Sequence, residues 1–349
     1  SDDIDVWDGT VASGFAGGSG TEGGPYIIET GAQLAYLASR VNSGYTYSGN
    51  YFRLDKDIDL NGIEWAPIGY STSRYFRGTF DGNGHTIYGL TITQNRAYAG
   101  LFGSTLGATI KNVALRDVNI EIRYSGFDYA GGIVGSAGSN TSYITTISNC
   151  STEGRILGGQ SSGTAFVGGI LGYGNASISN SYCVGEVLAG SNSERCYAGG
   201  IAGGLASRIT IDSCYFSGRI SAESGYTDGV YAAGILGVTN GSSMMSSLCS
   251  ISNCFATGDF SVDGLSSSTE YTNAIYNPFQ GSYSLSVSNN YYADVTLTEG
   301  STVVFTAGYG VEIDAENFAS ADWLENTLGW DMDTVWTVSG SFPVLRIFQ

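Results

Sequence analysis

Gly169-Ile-Leu-Gly172, then five residues, then Ile178-Ser-Asn-Ser181 running into Tyr182-Cys-Val-Gly-Glu-Val187: the chain keeps returning to this stretch. The first phrase recurs as Gly100-Leu-Phe-Gly, Gly132-Ile-Val-Gly, Gly200-Ile-Ala-Gly and Gly234-Ile-Leu-Gly, so that successive first glycines lie 32, 37, 31 and 34 residues apart. The second recurs as Ile147-Ser-Asn-Cys, Ile211-Asp-Ser-Cys and Ile251-Ser-Asn-Cys. Two linked phrases at one period of roughly 20–50 residues mark a repeat architecture, in which each unit buries its apolar face only against its neighbours.

Aligning the copies predicts what points inward. Ile147, Ile178, Ile211 and Ile251 form one column, and Cys150, Ser181, Cys214 and Cys254 a second. Thr152, Cys183, Phe216 and Ala256 form a third, followed by Gly154, Gly185, Gly218 and Gly258, with Ile156, Val187, Ile220 and Phe260 closing the strand. With a side-chain period of two, the residues between these columns are expected to face solvent. The fold class this predicts is all-β: a single-stranded right-handed parallel β-helix, a solenoid, with short capping helices at its N- and C-terminal ends.

The organisation expected is one continuous solenoid in three stretches: an N-terminal cap and first coils over 1–98, the repeats over 99–294, and a C-terminal cap over 295–349. Thr30-Gly-Ala-Gln33 reads as a capping box before Leu34, Leu37, Ala38 and Val41, which predicts a helix over about 31–42 plugging the first coil. Ser320 to Leu328 reads as a second short helix, followed by a last strand through Trp336, Val338, Phe342, Val344, Leu345 and Ile347. The insertion from Ser242 to Ser250, with Met244 and Met245, reads as a surface loop.

Composition narrows the function. Glycine reaches 52 residues without a Gly-X-Y period, which excludes collagen, and 42% hydrophobic with 13% charged residues excludes a disordered chain. The 32 acidic against 14 basic residues give a net charge of −18, a surface that repels nucleic acid and anionic lipid, so no nucleic-acid partner is expected. There is no apolar run of the roughly 18 residues that a transmembrane helix needs. The start at Ser1-Asp2-Asp3, without methionine, looks like that of a mature or trimmed export product, so export is expected, with a lipid anchor upstream of Ser1 as one form of it.

The phrases Gly-Ile-Val-Gly, Gly-Ile-Leu-Gly and Ile-Ser-Asn-Cys, with the run Phe80-Asp-Gly-Asn-Gly-His85, resemble the GLUG-motif repeat proteins over nearly the whole chain. The resemblance implies a parallel β-helix in a secreted or surface protein of bacteria. Such repeats also occur in some immunoglobulin A peptidases, which carry their chemistry on a separate zinc domain with a His-Glu-x-x-His motif. The resemblance supplies no catalytic residues, and a chain with a single histidine cannot hold that motif.

No catalytic residue and no cofactor are therefore expected. His85, on which any Ser-His-Asp triad would have to be built, lies in a glycine-rich turn and reads as structural. Asp57, Asp59 and Asn61, with Gly62, fit the first half of a calcium loop, but Ile68 stands where a bidentate Glu is needed; a solvated strand edge is the plainer reading. The cysteines of the inward column read as buried thiols, with the pairing of Cys196 and Cys249 open. Arg155, Glu186, Arg219 and Asp259 alternate in sign from coil to coil and read as a ladder of weak surface pairs.

The sharpest candidate is aromatic. The outward slot beside the cysteine column holds Tyr182, Tyr215, Phe255 and Tyr291 in four consecutive coils, a strip of rings that could stack on sugars. Against this stands a strip that lies under a loop, or simple cross-strand packing. A second set, Tyr124, Tyr129, Tyr197, Tyr226, Tyr231 and Tyr271, falls just before the glycine phrases, in what read as loops. The function expected is a non-enzymatic exported surface protein whose β-helix face serves adhesion, with a glycan or a cell-surface protein as partner. The competing expectations are a polysaccharide lyase or hydrolase, with a groove of several acids and an Arg, and a structural spacer in a surface assembly.

Overall fold

The computed structural model describes residues 4–159, 163–192, 194–225, 229–239, 249–264, 270–277, 285–298 and 310–349. The expected loop at 242–250, apart from its last two residues, and Tyr226 lie outside the described residues. Three parallel sheets wind around one core. The long-strand sheet runs from Asp5–Val6 through Ala114–Ile122, Ser151–Gly159, Tyr182–Ser191, Tyr215–Ser224 and Phe255–Gly264 to Tyr291–Thr298 and Val311–Glu312. The isoleucine sheet runs from Tyr26–Ile28 and Tyr51–Leu54 through Thr79–Asp81, Thr109–Lys111, Thr145–Ser148, Leu171–Ser179, Ala202–Asp212 and Ser250–Ser252 to Ser286–Ser288. The short sheet has six strands, from Tyr98–Ala99 to Glu270–Asn273. The parallel β-solenoid is as the repeat required.

Register bears out the columns. Ile110, Ile147, Ile178, Ile211 and Ile251 pair in sequence, as do Thr152, Cys183, Phe216 and Ala256. Strands in such a stack lie about 4.8 Å apart, so each column is a continuous apolar file. The isoleucine and cysteine columns do not share a strand, however. Asn112, Asn149, Asn180, Ser213, Asn253 and Asn289 all have φ between 47° and 57°, a left-handed corner between the isoleucine and long-strand sheets. Asparagine tolerates that conformation better than most residues. Its amide also ties the turns together: Asn149 donates to Asn112 Oδ1 at 3.0 Å, Asn289 to Asn253 Oδ1 at 2.7 Å. The corner explains why two inward columns stand an odd number of residues apart.

The two phrases meet across the core. The first glycine of four of the five copies lies against the third column: Gly132 on Thr152, Gly169 on Cys183, Gly200 on Phe216, Gly234 on Ala256. A Cβ on Gly169 would come within 2.2 Å of the Gly200 carbonyl and 2.4 Å of Cys183 Cβ, so only glycine lets the short sheet turn so closely.

The N-terminal helix forms over Gly31–Asn42; Thr30 accepts from the Gln33 amide, and Gln33 Oε1 accepts from Glu29 N at 2.7 Å. Its Leu34, Leu37, Ala38 and Val41 join the main core. The C-terminal helix is shorter than expected, Ala321–Asn326, capped by Ser320, and the last strand is half of an antiparallel hairpin, Trp336–Ser339 with Phe342–Leu345. This segment runs back along the flank of the solenoid, from Trp323 beside Tyr291 to Ile347 beside Gly84.

Candidate functional site

The aromatic strip is where the columns placed it but is not a surface. Tyr182, Tyr215 and Phe255 stack on one another at 4.9 and 4.8 Å between centroids, directed away from the main core, and are 1%, 1% and 0% exposed. Phe318, Trp330, Trp336 and Phe342 cover them, and the Tyr215 hydroxyl donates to the Pro343 carbonyl at 2.8 Å. Tyr291 is half-buried with Trp323 edge-on at 5.1 Å. The strip and the C-terminal segment thus form a second hydrophobic core. The expectation that these outward rings meet solvent is overturned, because a row of rings this large is more stable under apolar cover than in water. Three of the chain's five Trp fall at 323, 330 and 336, and that concentration was the available signal for the cover.

In the second tyrosine set Tyr124 lies in a loop as expected, but four others are relocated. Tyr129, Tyr197, Tyr231 and Tyr271 stand in strands of the short sheet, in register with Tyr98 and Phe166, not in loops. Their centroids follow one another at 4.7 to 5.8 Å from Tyr98 to Tyr271, an aromatic ladder along the flank. Burial pushes the Tyr129 and Tyr173 hydroxyls up from the ordinary tyrosine range.

Asp57, Asp59 and Asn61 hold turns. Asp57 Oδ1 meets His85 Nδ1 at 3.0 Å and the Thr86 amide at 2.9 Å, while Asp59 Oδ1 accepts from Asn61 N at 2.7 Å. No group of three or more His, Cys, Asp or Glu that could hold a metal occurs among the described residues. The six cysteines are free and buried; burial pushes Cys150 and Cys183 up to about 12, so both are protonated thiols at neutral pH. The charge ladder forms over its first three members, with Arg155 to Glu186 at 3.4 Å and Arg219 to Glu186 at 3.8 Å, and Asp259 stands in register with Arg219.

Three polar openings lie among the described residues, one of them, of about 410 Å3, where Ser288, Asn289, Asn290 and Tyr291 meet Gly310 and Val311. A cleft of about 340 Å3 at the ends of the long strands brings Glu223 and Asp263, register partners, together with Ser191, Asn192 and Ser224. A groove of about 370 Å3 lies on the outer face of the isoleucine sheet near its N-terminal end. Its floor is three adjacent strands carrying Tyr51 and Arg53, Thr79 and Asp81, and Lys111; its wall is the turn at Glu22, Gly23 and Pro25. Arg53 is held by two bonds to Asp55, 2.6 and 3.0 Å, and Lys111 pairs with Asp81 at 3.2 Å. Asp81 also accepts from Asn83 N and Asn112 Nδ2. The sequence reading missed this groove because its residues come from three coils and a turn 30 residues upstream.

The rest of that face is a hydroxyl lattice. Thr79, Thr109, Thr146, Ser177, Thr210, Ser250 and Ser286 follow one another in register, and beside them run Asp81, Lys111, Ser148, Ser179, Asp212, Ser252 and Ser288. These positions are half-buried by their neighbours in the stack, and exposed at Ser286 and Ser288.

No family model matches the chain. Among curated proteins, one of Evansella cellulosilytica named "Putative Gly-rich membrane protein" is 36% identical over 145 residues, which cover 39% of this chain and 16% of that protein. "Halomucin" of Haloquadratum walsbyi is 29% identical over 178 residues, 47% of this chain and 2% of that protein. The chain therefore spans only a small part of the length of either relative. Among solved structures, one described as a "putative immunoglobulin A1 protease" from Bacteroides ovatus aligns over 96% of both chains, with a TM-score of 0.73 and 25% identity. The chain is thus similar along nearly its whole length to one solved protein of the same solenoid fold, and in part to two much longer proteins.

Proposed function

We propose that this chain is a non-enzymatic β-solenoid displayed outside the cell, which presents one long polar face for attachment to a glycan or a cell-surface protein. The observation that carries the reading is the contrast in cover: the C-terminal segment closes the aromatic file of the long-strand sheet, and the hydroxyl face of the isoleucine sheet lies on another side. A flat, hydroxylated, weakly charged face suits many shallow hydrogen bonds over an extended partner. The names of the two long relatives, a membrane protein and a halomucin, agree with display at a surface. The repeat phrases favour placing the chain with the GLUG-motif proteins.

The enzymatic reading has two observations in its favour, the description of the solved neighbour as a "putative immunoglobulin A1 protease" and the groove that joins Arg53 to Glu22 and Asp81. Yet Asp81 is engaged through both oxygens, and Arg53 is clamped on Asp55, an arrangement better suited to fixed hydrogen-bonding groups than to proton transfer. Incubating the chain with an array of neutral and carboxylated oligosaccharides tests both readings. Retention without product release supports attachment; released fragments overturn it in favour of hydrolysis or elimination.

A further inference from the structure

We infer that the groove at Tyr51, Arg53, Asp81 and Lys111 is a saccharide-binding subsite, and that its ligand is a neutral sugar ring. This rests on the attachment reading and gives it a location. The groove's volume of about 370 Å3 lies within the range of small-molecule sites, about 300–1,000 Å3. Its lining carries two cations, Arg53 and Lys111, and two carboxylates, Glu22 and Asp81, so its own charge sums to zero within a chain of net charge −18. An anionic ligand would gain little from cations already paired and would face the field of the whole protein. A neutral ligand with hydroxyls at every edge can use both signs.

The groups are pre-set for that use. Arg53 meets Asp55 through Nε and Nη2, which fixes the guanidinium plane and leaves Nη1 as a donor. Lys111 spends one of its three donors on Asp81. Thr79 and Asn83 line the same opening, and Glu22 on the wall accepts without a charge partner in the lining. Tyr51, the outward residue at the head of the threonine file, supplies an aromatic side chain against which the C–H face of a sugar can pack. Donors and a ring on neighbouring strands of one sheet, with the Glu22 acceptor on the adjoining turn, require little reordering when a ligand arrives, which favours binding.

The test compares the parent chain with Lys111→Met and Tyr51→Leu on an array of neutral and carboxylated oligosaccharides, with affinity then measured by titration on the strongest array ligand. Lys111→Met keeps the side-chain stem and removes the charge. The expected result is retention of neutral oligosaccharides, weakened about tenfold or more in Lys111→Met, since a hydrogen bond to a charged group contributes that order of affinity, and weakened also in Tyr51→Leu, which loses the ring. A thermal melt unchanged in Lys111→Met separates lost contact from lost fold. Retention that survives both substitutions, or that falls in Ser252→Ala instead, overturns the groove while leaving attachment by the face intact. Preference for carboxylated sugars overturns the neutral ligand. An array silent for a folded parent chain overturns both the groove and the glycan form of the attachment reading.

Discussion

On the long-strand sheet the first outward position of successive turns is a ring, Tyr182, Tyr215 and Phe255, and the C-terminal segment folds back to bury it. On the isoleucine sheet the outward positions are hydroxyls or charges, from Thr79 and Asp81 to Ser286 and Ser288, and they remain at or near the surface. Both sets have the same parity and both point away from the main core. Direction from the core and contact with water are therefore separate properties in a solenoid. Parity sets the first; the apolar area of the file, and what else the chain can lay over it, sets the second.

The most severe way to break this arrangement is from the inside. Ile178 sits 1% exposed between Ile147 and Ile211, so Ile178→Asp buries a charge with no partner in the file. The cost is several kcal/mol, comparable to the whole stability of a domain, and the chain is expected to lose its cooperative melt. A melt near the parent temperature would sink the column assignment.

The cover on the long-strand face gives the next effect. Trp336 stacks on Trp330 at 4.4 Å and touches both Tyr182 and Tyr215. Trp336→Ala is expected to destabilise by about 3–5 kcal/mol in denaturant titration, and to raise binding of a hydrophobic dye as the rings lose cover. The same truncation on the open face, Thr146→Ala, is expected to stay within about 0.5 kcal/mol. Equal effects from the two would erase the distinction between the faces.

How far the chain could be read beforehand follows from the same distinction. The columns were legible because a stacked repeat writes each inward position several times, and Ile147, Ile178, Ile211 and Ile251 align by eye. The corner was half legible: the Asn of Ile-Ser-Asn-Cys recurs, but only its φ near 50° shows that it turns the chain. The cover was not legible from the repeats at all, because it pairs Tyr215 with Pro343 across 128 residues and is written once. The groove was missed for a related reason: Tyr51, Asp81 and Lys111 belong to different coils and share no phrase.

The short sheet offers a test through pH. Asp128, at the start of one of its strands, is 1% exposed, and burial raises its carboxyl to about 7. The unfolded chain releases that proton near the ordinary aspartate value of about 3.9. Between about pH 4 and pH 7 the folded state thus holds a proton that the unfolded state has lost, so stability from this group falls as pH rises through that window and levels off above it. Denaturant midpoints measured across the window should decline in the parent and flatten in Asp128→Asn. A parent midpoint that climbs with pH, with Asp128→Asn parallel to it, would contradict a buried protonated carboxyl.

The smallest effect sharpens the comparison most, because it uses the same strand as the buried strip. Glu186 lies four residues beyond Tyr182 on Tyr182–Ser191, outward like it, and its side chain is 40% exposed beside Arg155 and Arg219. If outward position alone decided energetics, the two sites would respond alike to substitution. Solvent and salt screen Glu186, and its two arginine partners sit at 3.4 and 3.8 Å, so Glu186→Gln is expected to cost less than about 1 kcal/mol and to cost less still in high salt. Val184, the next outward residue after Tyr182, already packs against the second core, so a loss of several kcal/mol, insensitive to salt, would mean that the C-terminal cover reaches one slot further and that the charged row is part of the same buried seam.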